Sequence, residues 1–170
     1  MQQTKRTEPV QQIKTCVVYV VHHLREYTNR RYSKMKFPQF LKVYGDQSFR
    51  GDCPKEDAEL STFVNQVRKK YPDTYGAVIV HIKNEGKRTA IQAKVDKMHG
   101  QTKGASDINI PASRSFILEM KRKDHTKSGW ETGQQEYLKA AHDLGAFVCV
   151  ALGWEAAMNA LEDWIKENPL

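Results

Sequence analysis

The stretch GASDINIPASRSFILEMK, residues Gly104 to Lys121, decides the fold. Asp107 opens a short apolar run. Pro111 to Arg114 reads as a turn, and the apolar strand after it carries Glu119, Met120 and Lys121. Successive side chains of a strand point to opposite faces. Phe116, Leu118 and Met120 therefore share one face, and Ile117, Glu119 and Lys121 share the other. A strand that only buries itself has no use for a carboxylate and an ammonium beside Ile117. A hairpin closed at Pro111 to Arg114 brings Asp107 near Glu119 across the ladder. Two carboxylates and a lysine then share one face, a site suited to a hard divalent cation with Lys121 beside it. The competing reading is a charged hairpin face paired by salt bridges.

Outward from this stretch, the chain alternates helix and strand. Pro54 opens a helix, with Glu56, Asp57 and Glu59 in its first turns and Arg68, Lys69 and Lys70 at its end, as the helix dipole favours. Leu60, Phe63, Val64 and Val67 form its buried stripe, and Pro72 stops it. Ala77 to Ile82 predicts a strand, bounded by Gly76 and the turn Asn84-Glu85-Gly86. Thr89 to Met98 predicts a short helix. After the hairpin come Lys121, Arg122, Lys123, His125 and Lys127, a basic run leaving the candidate site. Glu131 to Leu144 predicts a helix stopped by Gly145. Ala146 to Leu152 is apolar on both faces, as a central strand requires, and Glu155 to Glu167 predicts the last helix. A mixed sheet flanked by helices follows.

Composition narrows the partners. A chain of 170 residues is one domain with room for an extension. Its formal net charge of +7 favours a polyanion, nucleic acid above all. Cys16, Cys53 and Cys149 form no CxxC pair, which excludes a zinc ribbon and fits reduced thiols in a cytoplasm. The apolar run Cys16 to Val21 is too short to span a membrane. The six histidines show no ligand-pair spacing. Trp130, Trp154 and Trp164 read as core or interface aromatics. We place the domain at residues 51–170 and an N-terminal helical extension at residues 1–50. Its helix runs from Val10 to about Tyr27, with an apolar stripe that could pack on the domain or on a second subunit.

The ordered pieces HIKNEGKR (residues 81–88), KGASDI around Gly104 and Asp107, FILEMK with Glu119 and Lys121, and the helix–strand run from Gln134 through Gly145 to Gly153-Trp154-Glu155-Ala156-Ala157 resemble the VRR-NUC (virus-type replication-repair nuclease) domains of the PD-(D/E)xK superfamily. The resemblance runs from about Glu56 to Trp154. Ser106 stands where the family often has proline before the aspartate, a position that varies. The resemblance implies a restriction-endonuclease-like α/β fold and Mg²⁺- or Mn²⁺-dependent hydrolysis of DNA phosphodiester bonds. By position, Asp107, Glu119 and the Met120 backbone carbonyl would hold the metal, and Lys121 would position the attacking water. Gln134, or Gln135 one step on, would support the site. Glu59 would complete the metal shell through water, with Glu56 as its alternative. Lys103, Arg122, Lys123 and Lys127 would meet DNA phosphates.

Stand-alone domains of this size are similar to phage enzymes that act as homodimers on branched DNA such as Holliday junctions. That places the chain in the cytoplasm, of a bacterial host if phage-encoded. Flap, single-strand or nicking cleavage remains open, as does a non-catalytic DNA-binding module.

Overall fold

The computed structural model describes residues 35–82 and 89–169. The helix expected over residues 10–27 and the turn at Asn84 to Gly86 lie outside these.

Five strands form the sheet: β1 (Lys42–Tyr44), β2 (Val80–His81), β3 (Ile108–Ile110), β4 (Phe116–Lys121) and β5 (Phe147–Leu152). Their order is β1-β5-β4-β3-β2. β5 runs parallel to both β1 and β4, while β3 is antiparallel to β4 and β2 to β3. The helices are α1 (Glu56–Lys70), α2 (Tyr75–Val78), α3 (Ala90–Met98), α4 (Gln134–Asp143) and α5 (Trp154–Glu167). The mixed sheet between helices is a restriction-endonuclease-like α/β architecture.

The alternation expected in β4 is present. Phe116, Leu118 and Met120 enter a core built with Leu60, Phe63 and Val67 of α1 and Ala157, Ala160, Leu161 and Trp164 of α5. Ile117 enters the opposite layer, with Leu138 of α4 and Val148, Val150 and Leu152 of β5. Every residue of β5 is buried, which accounts for its unbroken apolar run. The connection from β4 through α4 to β5 is the helical crossover that parallel neighbours need.

Three boundaries differ from expectation. The sheet recruits Lys42–Tyr44 as β1, and Met35 and Leu41 are buried, so residues placed by expectation in the extension pack with the domain. The expected strand Ala77 to Ile82 gives its first half to α2. There the Gly76 N–H donates to the Tyr71 carbonyl at 2.9 Å, and a Cβ on Gly76 would lie 2.6 Å from that oxygen. What remains is the two-residue edge strand β2, with Val80 exposed. The helix expected from Glu131 starts at Gln134, because Gly133 has the left-handed φ of +95°. No helix among the described residues is long and apolar enough to cross a membrane.

Candidate active site

The register of β3 on β4 pairs Ile108 with Leu118, and one further step places Asp107 opposite Glu119. The Asp107 carboxylate is fixed there by the Met120 N–H, which donates to Oδ2 at 2.8 Å. Two residues along β4 on the same face, the Lys121 ammonium donates to Glu119 Oε1 at 2.7 Å. Gln134, the first residue of α4, donates its amide N–H to the same Oε1. Its own carbonyl accepts from the Glu131 N–H at 2.8 Å and from Lys121 at 3.3 Å. The hairpin, the strand and the helix N-terminus thus converge on one carboxylate.

Two glycines allow that convergence. The loop before Asp107 crosses the start of α4 so closely that a Cβ on Gly104 would lie 2.2 Å from the Gly133 carbonyl carbon. Both residues also hold positive φ, +77° and +95°. Only glycine satisfies both demands at once, and the crossing sets Asp107 beside Gln134.

The site is buried at its base. Glu119 is 1% exposed, Lys121 2% and Gln134 7%. Burial, joined by the Asp107 carboxylate, pushes the Glu119 carboxyl up to about 8 against the opposing pull of Lys121. Burial also works against the Lys121 ammonium, but Glu119 and Glu56 outweigh it and hold its pKa above the usual lysine value. The two shifts pull against each other, since the rise at Lys121 needs an anionic Glu119. Deep burial and a second carboxylate across the ladder set the direction for the pair: Lys121 offsets the Glu119 charge only in part. Its second oxygen, Oε2, is buried with no hydrogen-bond partner.

That orphaned oxygen tests the site for a cation. Among the described residues no group of three His, Cys, Asp or Glu stands close enough to cage a metal. A site with two carboxylates, backbone carbonyl and water suits Mg²⁺, which keeps several waters and binds through one or two carboxylates. A cation would satisfy Oε2 and offset the repulsion between Asp107 and Glu119. The residues fit such an ion, and Asp107, Glu119 and the Met120 carbonyl would hold it.

A cleft of about 420 Å³ opens above this base, lined by Glu56, Asp107, Glu119, Lys121, Trp130 and Gln134 among others. Gln134 rather than Gln135 enters it. Of the two acidic candidates on α1, Glu56 lines the cleft and Glu59 does not. Glu59 accepts from the Trp154 N–H at 3.0 Å, capping the N-terminus of α5, where a carboxylate suits the helix dipole. Of the two, Glu56 is the one placed beside Asp107 and Glu119 at the cleft.

The basic run also has partners within the protein. Arg122 donates to the carbonyls of Pro54 and Cys53, at 3.1 and 2.8 Å. Lys127 donates to the Gly51 carbonyl at 2.7 Å, and Lys123 reaches Glu155 at 3.5 Å. Lys103 is exposed. His125 is buried against Phe37 rather than presented to solvent. Trp130, expected as a core or interface aromatic, packs against the second core layer and also lines the cleft, with Lys121 Nζ 5.5 Å from its ring centroid. Ser128, which sequence reasoning passed over, donates to Glu56. Its place two residues before Trp130 at the end of the basic run gave no signal.

No family model matches the chain, and no curated protein does. A solved structure described as "VRR_NUC domain protein" does match, at 19% identity and a TM-score of 0.56, over 69% of this chain and 92% of that one. The fold and the convergent Asp–Glu–Lys cluster define a restriction-endonuclease-like α/β protein. Its particular likeness is to the VRR-NUC form of that fold.

Proposed function

We propose that this chain is a divalent-metal-dependent endonuclease that hydrolyses DNA phosphodiester bonds, selective for branched DNA such as four-way junctions and acting as a homodimer. The observation that carries the nuclease reading is Glu119, a buried carboxylate with one oxygen tied to Lys121 and Gln134 and the other without a partner, set opposite Asp107. Such an arrangement has no purpose in a packed core, where it is destabilising. It suits a cation and the phosphate that the cation would bind. The likeness to a VRR_NUC domain protein and the net charge of +7 support the same reading.

Bound Mg²⁺ or Mn²⁺ supplies polarisation of a phosphoryl oxygen and a more acidic water. The chain's own residues do the rest. Asp107, locked by the Met120 N–H, and Glu119, locked by Gln134, fix the acidic pair without reorganisation. Lys121 holds an ammonium where the attacking water and the pentacovalent phosphate meet, and a fixed charge in a water-poor site stabilises developing charge strongly. The water oxygen gives up a proton and bonds to phosphorus as one P–O ester bond breaks, and the leaving oxygen takes up a proton. Lys103 and Lys123, with Arg122 and Lys127 at the cleft, neutralise flanking phosphates. Two sites related by a twofold axis would meet two strands of a branched substrate.

The test is cleavage of a labelled panel of four-way junction, flap, splayed arm, duplex and single strand, with Mg²⁺, Mn²⁺ or EDTA, beside Glu119→Ala. We expect cutting that requires the ion, prefers the junction and disappears in the variant. Cutting of another panel member first would replace the junction preference and keep the nuclease. Tight binding with no ion-dependent cutting of any member would make the chain a DNA-binding module.

A further inference from the structure

Residues 122–128 do more than extend the basic surface. They grip the loop that leads into α1. Arg122 holds the Cys53 and Pro54 carbonyls. Lys127 holds the Gly51 carbonyl, and the Asp124 carboxylate accepts from the Gly51 N–H at 3.2 Å. The Asp124 N–H meets Cys53 Sγ at 3.5 Å. Asp124 is itself buried, at 3% exposure, and is braced by Thr126. This clasp fixes the first turn of α1 against the end of β4, one residue beyond Lys121. Ser128 lies at its centre: its hydroxyl oxygen accepts from the Arg122 N–H at 3.1 Å while the hydroxyl donates to Glu56 Oε1.

We propose that Ser128 is a positioning residue for the metal site, acting through Glu56. The inference rests on the nuclease reading above. A glutamate in the first turn of a helix has several rotamers open to it. The Ser128 hydroxyl selects one, with Oε1 bonded and the carboxylate held at the cleft that Asp107 and Glu119 line. Because the backbone of Arg122 orients the hydroxyl, the geometry of β4 is transmitted to the acid on α1. Glu56 then serves as an outer acidic partner of the cation, held at the cleft that the other two carboxylates line. Hydrogen-bond partners that orient carboxylates around a metal typically contribute 10–100-fold to affinity.

The experiment is Mn²⁺ binding to the full chain, followed by calorimetry and by the electron-spin signal of free Mn²⁺. The variants are Ser128→Ala, Ser128→Thr, Glu56→Gln and the double variant Ser128→Ala/Glu56→Gln. We expect Ser128→Ala to weaken Mn²⁺ binding by about tenfold, and Ser128→Thr, which keeps the hydroxyl, to restore it to within about twofold. In the Glu56→Gln background the alanine should add nothing further, because the two residues act as one unit. An unchanged affinity in Ser128→Ala overturns the proposal. So does a loss that threonine fails to restore, or one that persists in full without Glu56. If Ser128→Ala does not fold, the threonine variant and the comparison of Glu56→Gln with its Ser128→Thr counterpart decide it. Absence of Mn²⁺ binding by the unaltered protein would instead overturn the metal reading itself, and this inference with it.

Discussion

The two faces of β4 are built from the same six residues and answer to different demands. On one face Phe116, Leu118 and Met120 are fully buried among the side chains of α1 and α5. On the other, Ile117 begins as core, and then Glu119 and Lys121 continue the same buried surface with charge. Both faces exclude water to the same degree, so burial alone does not separate them. Partners do. Each apolar side chain gains from every neighbour it touches, whereas Glu119 holds one satisfied oxygen and one orphan. The lesson is that a buried charge with an incomplete set of partners marks the functional side of a strand more clearly than any surface charge.

The largest expected effects break this comparison directly. Lys121→Met keeps the length and burial of the side chain and removes its charge. DNA cleavage should fall by about 10²–10³-fold, while chemical denaturation shows a fold no less stable than before. On the opposite face Leu118→Ala should lower stability by about 3 kcal/mol through the cavity it leaves, and cleavage per folded molecule should change little. Single-turnover cleavage and urea titration of both variants measure the two axes. Equal losses on both axes for both variants would mean that the faces are not functionally distinct.

A smaller effect separates the faces by pH. The Glu119 carboxyl has an ordinary value of 4.5 and is raised to about 8 in the fold. The folded protein therefore holds a proton that the unfolded chain has released. Stability from this group is fully present below about pH 4.5 and declines as pH rises towards about 8. Melting temperature measured with EDTA from pH 5 to 8 should fall along this window. Glu119→Gln, which cannot ionise, should flatten the fall, and so should Mg²⁺, whose charge takes the place of the proton. Leu118→Ala should shift the whole curve down without altering its slope. A slope identical in Glu119→Gln would assign the pH dependence to other groups.

Much of this was legible in the sequence because it depended on local pattern. The two-residue period of FILEMK gave the faces of β4, and the turn at Pro111 to Arg114 gave the register that sets Asp107 opposite Glu119. The unbroken apolar run of β5 gave its central place. What escaped was decided by distant contacts. β1 is three residues with no periodicity of its own, and it is a strand only because it pairs with β5. The charge run from Arg122 to Lys127 gave no hint that Arg122 and Lys127 also hold carbonyls of the distant loop at Gly51 to Pro54. The choice between Glu56 and Glu59 was closed to pattern reading because residues three apart share a helix face. Ser128 and Trp154, both far along the chain, give the two carboxylates different partners.

That last separation gives the smallest effect and the sharpest discrimination on a single helix. Glu59 is buried at 4% exposure, and its carboxylate meets the first N–H of α5. Glu59→Ala leaves that N–H unpaired and removes a negative charge from the helix N-terminus, and it should lower stability by about 1–2 kcal/mol. Glu59→Gln keeps an oxygen to accept the bond and loses only the charge, so about half that loss or less is expected. Cleavage by the folded fraction should be the same in both. Glu56→Gln should show the reverse, with weaker cleavage at low metal concentration and little change in the denaturation midpoint. The two glutamates lie one turn apart with the same chemistry, and only their partners differ. If Glu59→Gln weakened metal-dependent cleavage while its fold held, the cap at α5 would be part of the active site, and the division between a structural and a functional acid on α1 would fail.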